Sequence, residues 1–105
     1  MAYLGQKNIA HRDLKPENIL LEENEGADSL IKVINFGNAI YCKPPKKIKG
    51  VVGTPLYMAP EVNAGLYDFK CDVWSCGVIL HILITERPPF DGSDDFDILV
   101  KASKY

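Results

Sequence analysis

The sequence predicts a mainly α chain with one small β-hairpin, and two patterns carry that prediction. From Lys70 to Thr85, the residues Val73, Trp74, Cys76, Val78, Ile79, Leu80, Ile82, Leu83 and Ile84 leave almost no polar face. A helix apolar on nearly every side is expected to be central and buried. The second pattern is a pair of short runs, Ile19–Leu21 and Leu30–Ile34, the latter β-branched around an outward Lys32. With the polar turn Glu22 to Asp28 between them, they read as an antiparallel hairpin.

In chain order, Met1 to Gln6 reads as a last helical turn stopped near Gly5. Ile9-Ala10 is a short extended piece leading into a charged loop, and the hairpin follows. It brings the residue after Ile34 back beside Asn18. Asn38 to Gly53, with Pro44-Pro45 and a run of lysines, is expected to be an irregular, mobile surface loop. Pro60 to Ala64 suits one helical turn with proline near its start. Pro88-Pro89 ends the long helix. Asp94 to Ala102 is an amphipathic helix with acids in its first turn, where the helix dipole favours them.

At 105 residues the chain holds one domain or a piece of one. Its apolar fraction of 47% and charged fraction of 25% are those of an ordinary globular protein. A net charge of −2 gives no reason to expect nucleic acid or a membrane surface as partner. The one basic bias, Lys43, Lys46, Lys47 and Lys49, reads as a solvated face. Cys42, Cys71 and Cys76 lack metal-ligand spacing and read as small buried residues in a reducing compartment. With no signal peptide and no apolar run able to span a bilayer, a soluble, cytoplasmic location is expected.

The chemistry concentrates in His11-Arg12-Asp13-Leu14-Lys15-Pro16-Glu17-Asn18. Asp13 can accept a proton from a hydroxyl nucleophile. Lys15, two residues on, reaches the same centre and can neutralise a transferring phosphoryl group. Asn18 offers a neutral oxygen suited to Mg²⁺, and Pro16 stiffens the loop. The alternative is a solvated charged turn. Three further segments follow in order: Asn35-Phe36-Gly37, Gly53-Thr54-Pro55-Leu56-Tyr57-Met58-Ala59-Pro60-Glu61, and Asp72-Val73-Trp74-Ser75-Cys76-Gly77.

This ordered set resembles the eukaryotic protein kinases, specifically the C-terminal lobe of their catalytic domain. Tyr67 to Leu80, Pro88-Pro89-Phe90 and Asn8-Ile9-Ala10 look like the calcium/calmodulin- and calcium-dependent kinase group. Lys15 with Gly53-Thr54-Pro55 looks like a serine/threonine kinase. The resemblance implies that residues 1–105 are a partial kinase domain containing the catalytic loop, activation segment and central helix, without the N-terminal lobe. It implies ATP and Mg²⁺ as cofactors and a protein substrate. Asp13 would orient the substrate hydroxyl, Lys15 would contact the transferring phosphate, and Asn18 and Asn35 would hold metal. Thr54 would position Asp13 and Lys15. His11 and Phe36 would stack in an internal spine, with Gly37 completing the Asn-Phe-Gly turn. Arg12 would meet an activation-loop phosphate, Glu61 would pair with an arginine further along, and Asp72 would brace the loop from beneath. Glu17 reads either basic substrate residues or only solvent.

Three departures qualify that inheritance. These residues contain no Gly-x-Gly-x-x-Gly loop, so a kinase fragment is expected. Asn35 stands where the family has a metal-gripping aspartate, a frequent mark of a pseudokinase. Between Gly37 and Gly53 there is no Ser or Thr, only Tyr41, so Arg12 lacks the usual phosphorylated partner. The rival readings are a pseudokinase-type protein-binding module and a truncated product without function.

Overall fold

The structure, a computed structural model, describes residues 2–23 and 29–105. Its elements are α1 (Ala2–Gln6), β1 (Ile9–Ala10), β2 (Ile19–Leu21), β3 (Ile31–Val33), β4 (Ile40–Tyr41), β5 (Ile48–Lys49), α2 (Pro60–Asn63), β6 (Leu66–Tyr67), α3 (Cys71–Thr85) and α4 (Asp95–Ala102). Tight 3-10 turns form at Pro16–Asn18, Phe36–Asn38 and Pro55–Tyr57. Two of these start on proline, whose fixed φ and missing N–H suit the first position of a helical turn.

The expected hairpin is present: β2 and β3 pair antiparallel, with Ile19 opposite Val33 and Leu21 opposite Ile31. Residues 24–28 of its expected turn lie outside the described residues. Beyond the ladder, Ile34 N–H donates to the Asn18 carbonyl at 2.9 Å, which delivers residue 35 beside Asn18.

The hairpin is not the only sheet, which corrects the reading of a single one. β1 pairs with β4 and β5 pairs with β6, both antiparallel. The segment 38–53, expected to be irregular, therefore carries two strands. Cys42 and Ile48 are its buried anchors, packed with Ala10, Met58, Val62 and Tyr67. Once they are inside, the neighbouring backbone groups need partners, and the pairings supply them. Single apolar residues among lysines and prolines gave no alternation from which to read this.

The long helix forms as expected but is not buried all round. Cys71, Asp72, Ser75, Val78 and Ile79 make one inward stripe. Val73, Leu80, Leu83 and Ile84 are exposed, Leu83 to 74%. The Pro55–Tyr57 turn packs against one side of α3, and the other side is bare. The shape agrees: the radius of gyration is 14.4 Å and the extents are 44 × 35 × 21 Å, against about 13 Å for a compact chain of this length. The helix stops before the prolines do the work, at Glu86 in a left-handed conformation (φ 59°) with its N–H on the Ile82 carbonyl. α4 starts where its acids predicted, with the Asp94 carboxylate accepting from Asp97 N–H at 2.8 Å. Among the described residues, no helix is long and apolar enough to cross a membrane.

Candidate active site

The site is built around a main chain held in an uncommon shape. Arg12 has φ 71°, a left-handed conformation that costs a bulky L-residue on the order of 1–2 kcal/mol. What holds it there is Asp72, 2% exposed at the start of α3. Its two carboxylate oxygens accept from His11 N–H at 2.6 Å and Arg12 N–H at 3.0 Å. A buried carboxylate accepting two backbone donors fixes the entry to the loop from beneath.

His11 is fully enclosed and ties the loop to the hairpin. Its Nδ1 lies 3.2 Å from Asp13 N–H, which can only donate. Its Nε2 lies 2.9 Å from the Ile34 carbonyl, which can only accept. The ring is therefore the Nε2–H tautomer, with both nitrogens engaged. Phe36 meets it edge-on, with ring centroids 4.9 Å apart and planes at 72°.

Above this base, Asp13, Lys15 and Thr54 converge. The Thr54 hydroxyl donates to Asp13 Oδ1 at 2.6 Å and accepts from Lys15 Nζ at 2.9 Å. Lys15 Nζ lies 3.5 Å from Asp13 Oδ2. A hydroxyl that donates to the acid while accepting from the cation sets the position of both. Thr54 reaches them because Gly53 crosses the loop at close range: with φ 133°, a Cβ there would sit 2.7 Å from the Arg12 carbonyl oxygen. No side chain fits, so that crossing demands glycine.

The second half of the site is made of amides. Asn18, buried, donates Nδ2–H to the Asp13 carbonyl at 2.8 Å, which orients its Oδ1 the other way, toward Asn35. Asn35 Nδ2 lies 3.4 Å from that oxygen, and the residue adopts φ 63°, ψ 69°, a conformation asparagine tolerates well. By donor type the pair fits a hard cation: one amide oxygen held in place and a second amide that can turn its oxygen toward the same point. Both donors are neutral. Among the described residues, no group of three or more His, Cys, Asp or Glu could hold a metal ion.

The remaining candidates fall around this centre. Arg12 donates from Nε to the Asn38 carbonyl at 2.6 Å and from Nη1 to the Tyr67 hydroxyl at 3.4 Å. Gly37 lies in the turn after Asn35, within reach of its side chain. Glu61 is exposed at the start of α2 and makes no ion pair among the described residues. Glu17 is exposed, close enough for its charge to push the Tyr57 hydroxyl further up after burial has raised it. Beneath the loop, burial first and then Asp72 push the Cys71 thiol up to about 12. Burial likewise raises Cys76. Neither thiol is a nucleophile at neutral pH.

Sequence reasoning missed Ser75 and Tyr67. Ser75 Oγ donates to the Tyr57 carbonyl at 2.7 Å and ties α3 to the turn that follows Thr54. A lone hydroxyl in an otherwise apolar run was the available signal. Tyr67 had none, since its hydroxyl finds Arg12 only through tertiary packing.

Comparison with known proteins gives a concordant result. The protein kinase domain family matches residues 1–104. Calcium-dependent protein kinase 4 of Plasmodium falciparum (isolate 3D7) is 52% identical over 107 residues, covering 100% of this chain and 20% of that protein. Calcium-dependent protein kinase 5 of Plasmodium berghei (strain Anka) is 52% identical over 104 residues, covering 99% of this chain and 18% of that protein. For calcium-dependent protein kinase 3 of Plasmodium yoelii yoelii the values are 48% over 106 residues, 98% and 20%. The chain thus spans about a fifth of the length of the curated relatives it matches.

Proposed function

This chain belongs to the protein kinase domain family, and on that premise we propose that it forms part of an ATP-dependent serine/threonine phosphotransferase. It is the C-terminal-lobe portion of the domain, carrying the catalytic loop, the activation segment and the central helix. The observation that supports this most directly is the Asp13–Thr54–Lys15 constellation, with its hydrogen bonds of 2.6 and 2.9 Å.

In this reading Asp13 accepts the proton of a substrate hydroxyl as it attacks, and Lys15 stabilises charge on the phosphoryl oxygens. Thr54 bridges the two, donating to Asp13 and accepting from Lys15, and so fixes the geometry of their 3.5 Å ion pair. Asn18 and Asn35 would hold magnesium, which when bound neutralises phosphate charge. Three free cysteines, two with raised thiol pKa, support an intracellular, reducing location.

The test is phosphate transfer from ATP to a serine peptide and to a tyrosine peptide, by a kinase domain carrying this segment with a glycine-rich nucleotide loop. Transfer to serine that Asp13→Asn abolishes is expected. Transfer that survives Asp13→Asn overturns the assignment. Asn35 favours one rival, a pseudokinase-type binding module that keeps the protein-facing surface without the chemistry. Nucleotide binding indifferent to Mg²⁺, with no transfer, would favour the rival.

A further inference from the structure

Residues 40–49 line one open concavity, and the reading of their lysines as a solvated face does not account for how they are mounted. Lys46 N–H closes a turn on the Lys43 carbonyl at 3.2 Å, and the buried Cys42 thiol donates to the Lys46 carbonyl at 3.1 Å. Lys47 pairs with Asp68 at 2.6 Å, which holds the Asp68 carboxyl below its ordinary range. That leaves Lys43, Lys46 and Lys49, all exposed, with no ion pair among the described residues. The same concavity offers apolar surface from Ile40, Pro44 and Pro45.

Both ends of the loop are fastened beside the reacting centre. At one end Ile40 is paired with Ala10, three residues before Asp13, and Cys42 N–H donates to the Asn8 carbonyl at 2.7 Å. At the other, Ile48 is paired with Tyr67, whose hydroxyl meets Arg12. A fixed basic concavity with an apolar floor selects for a ligand that is anionic and partly apolar. A single cluster of lysines with no arginine is a poor track for successive nucleic-acid phosphates, whereas a short peptide needs only two or three charge contacts.

We propose that the concavity of residues 40–49 docks an acidic, partly apolar peptide segment of the protein substrate, held by Lys43, Lys46 and Lys49. Describing that peptide as substrate rests on the phosphotransfer proposed above; the binding does not. The test is fluorescence anisotropy of the full 105-residue chain with a short labelled peptide of alternating Glu and Leu. Saturable binding that weakens with salt is expected. Lys43→Glu, Lys46→Glu and Lys49→Glu together should weaken it on the order of tenfold or more, and Lys→Gln at the same positions by less. Lys104→Glu, remote in sequence and also exposed, should leave it unchanged, and circular dichroism checks that each variant keeps its fold. Equal binding of a Gln/Leu peptide, or undiminished binding by the triple variant, overturns the proposal. So does tighter binding of phosphatidylserine vesicles or of a DNA oligonucleotide. Asp13→Asn should bind the peptide normally, so failure here leaves the catalytic assignment standing, and failure there leaves this site standing.

Discussion

The two halves of the candidate site are built on different principles. Asp13, Lys15 and Thr54 form a charged half resting on a buried carboxylate, which engages the backbone donors of His11 and Arg12. Asn18 and Asn35 form a neutral half at the end of an exposed hairpin, joined by one long amide contact of 3.4 Å. The charged half gains its geometry from burial beneath it. The neutral half sets two amides side by side and carries no charge of its own. Position and charge are separable properties, and here they have come apart.

Removing the brace breaks the charged half. Asp72→Ala leaves the His11 and Arg12 N–H groups enclosed without an acceptor, at about 1–3 kcal/mol each, so a loss of about 2–6 kcal/mol is expected. Urea denaturation measures it, and a loss below 1 kcal/mol would mean that water replaces the carboxylate. Restoring charge sharpens the neutral half. In a domain that includes the nucleotide loop, Asn35→Asp adds a carboxylate at nearly constant volume, in a conformation aspartate also tolerates. Turnover should rise on the order of 10²-fold, as single electrostatic groups do in active sites, and Asp13→Asn should cancel the gain. An unchanged rate from an already active parent would make Asn35 a competent ligand.

Much of this comparison was legible in the sequence. The hairpin, the long helix and its successor α4 follow from local patterns, and the meeting of Thr54 with Asp13 and Lys15 is what the family resemblance implies. The β1–β4 and β5–β6 pairings were not legible, because each strand is two residues long and gains its identity from a distant partner. The bare side of α3 was hidden for the opposite reason. An apolar run states that a surface prefers burial and says nothing of whether these residues supply the cover.

Two smaller effects test the coupling inside the charged half. Thr54→Ala removes both contacts at once and should slow transfer about tenfold, while Thr54→Ser should recover most of it. Equal loss in both would point to the methyl group and away from the hydroxyl. Cys71, under the loop, offers a pH readout. Its thiol is pushed from 9.0 up to about 12 in the folded chain. Between those values the unfolded chain has released the proton that the folded chain keeps, so stability should fall as pH rises through that window. Cys71→Ala should flatten the slope; an unchanged slope would assign it to other groups. The smallest effect is expected at the surface, where Lys47→Ala removes the partly exposed pair with Asp68 at about 0.2–1 kcal/mol.

The one-sided burial of α3 has a mechanical consequence. The helix is a rod of about 22 Å at 1.5 Å per residue, clamped under the loop at Asp72 and bare at Leu83 and Ile84. If it pivots about Ile79, the last residue of its buried stripe, the arm to Asp72 is seven residues, or about 10 Å. A tilt of about 5° would then move that carboxylate by roughly 0.9 Å, enough to strain hydrogen bonds of 2.6 and 3.0 Å. On that pivot, pressure on the exposed end would reach the loop that carries Asp13 without any ligand touching the loop itself.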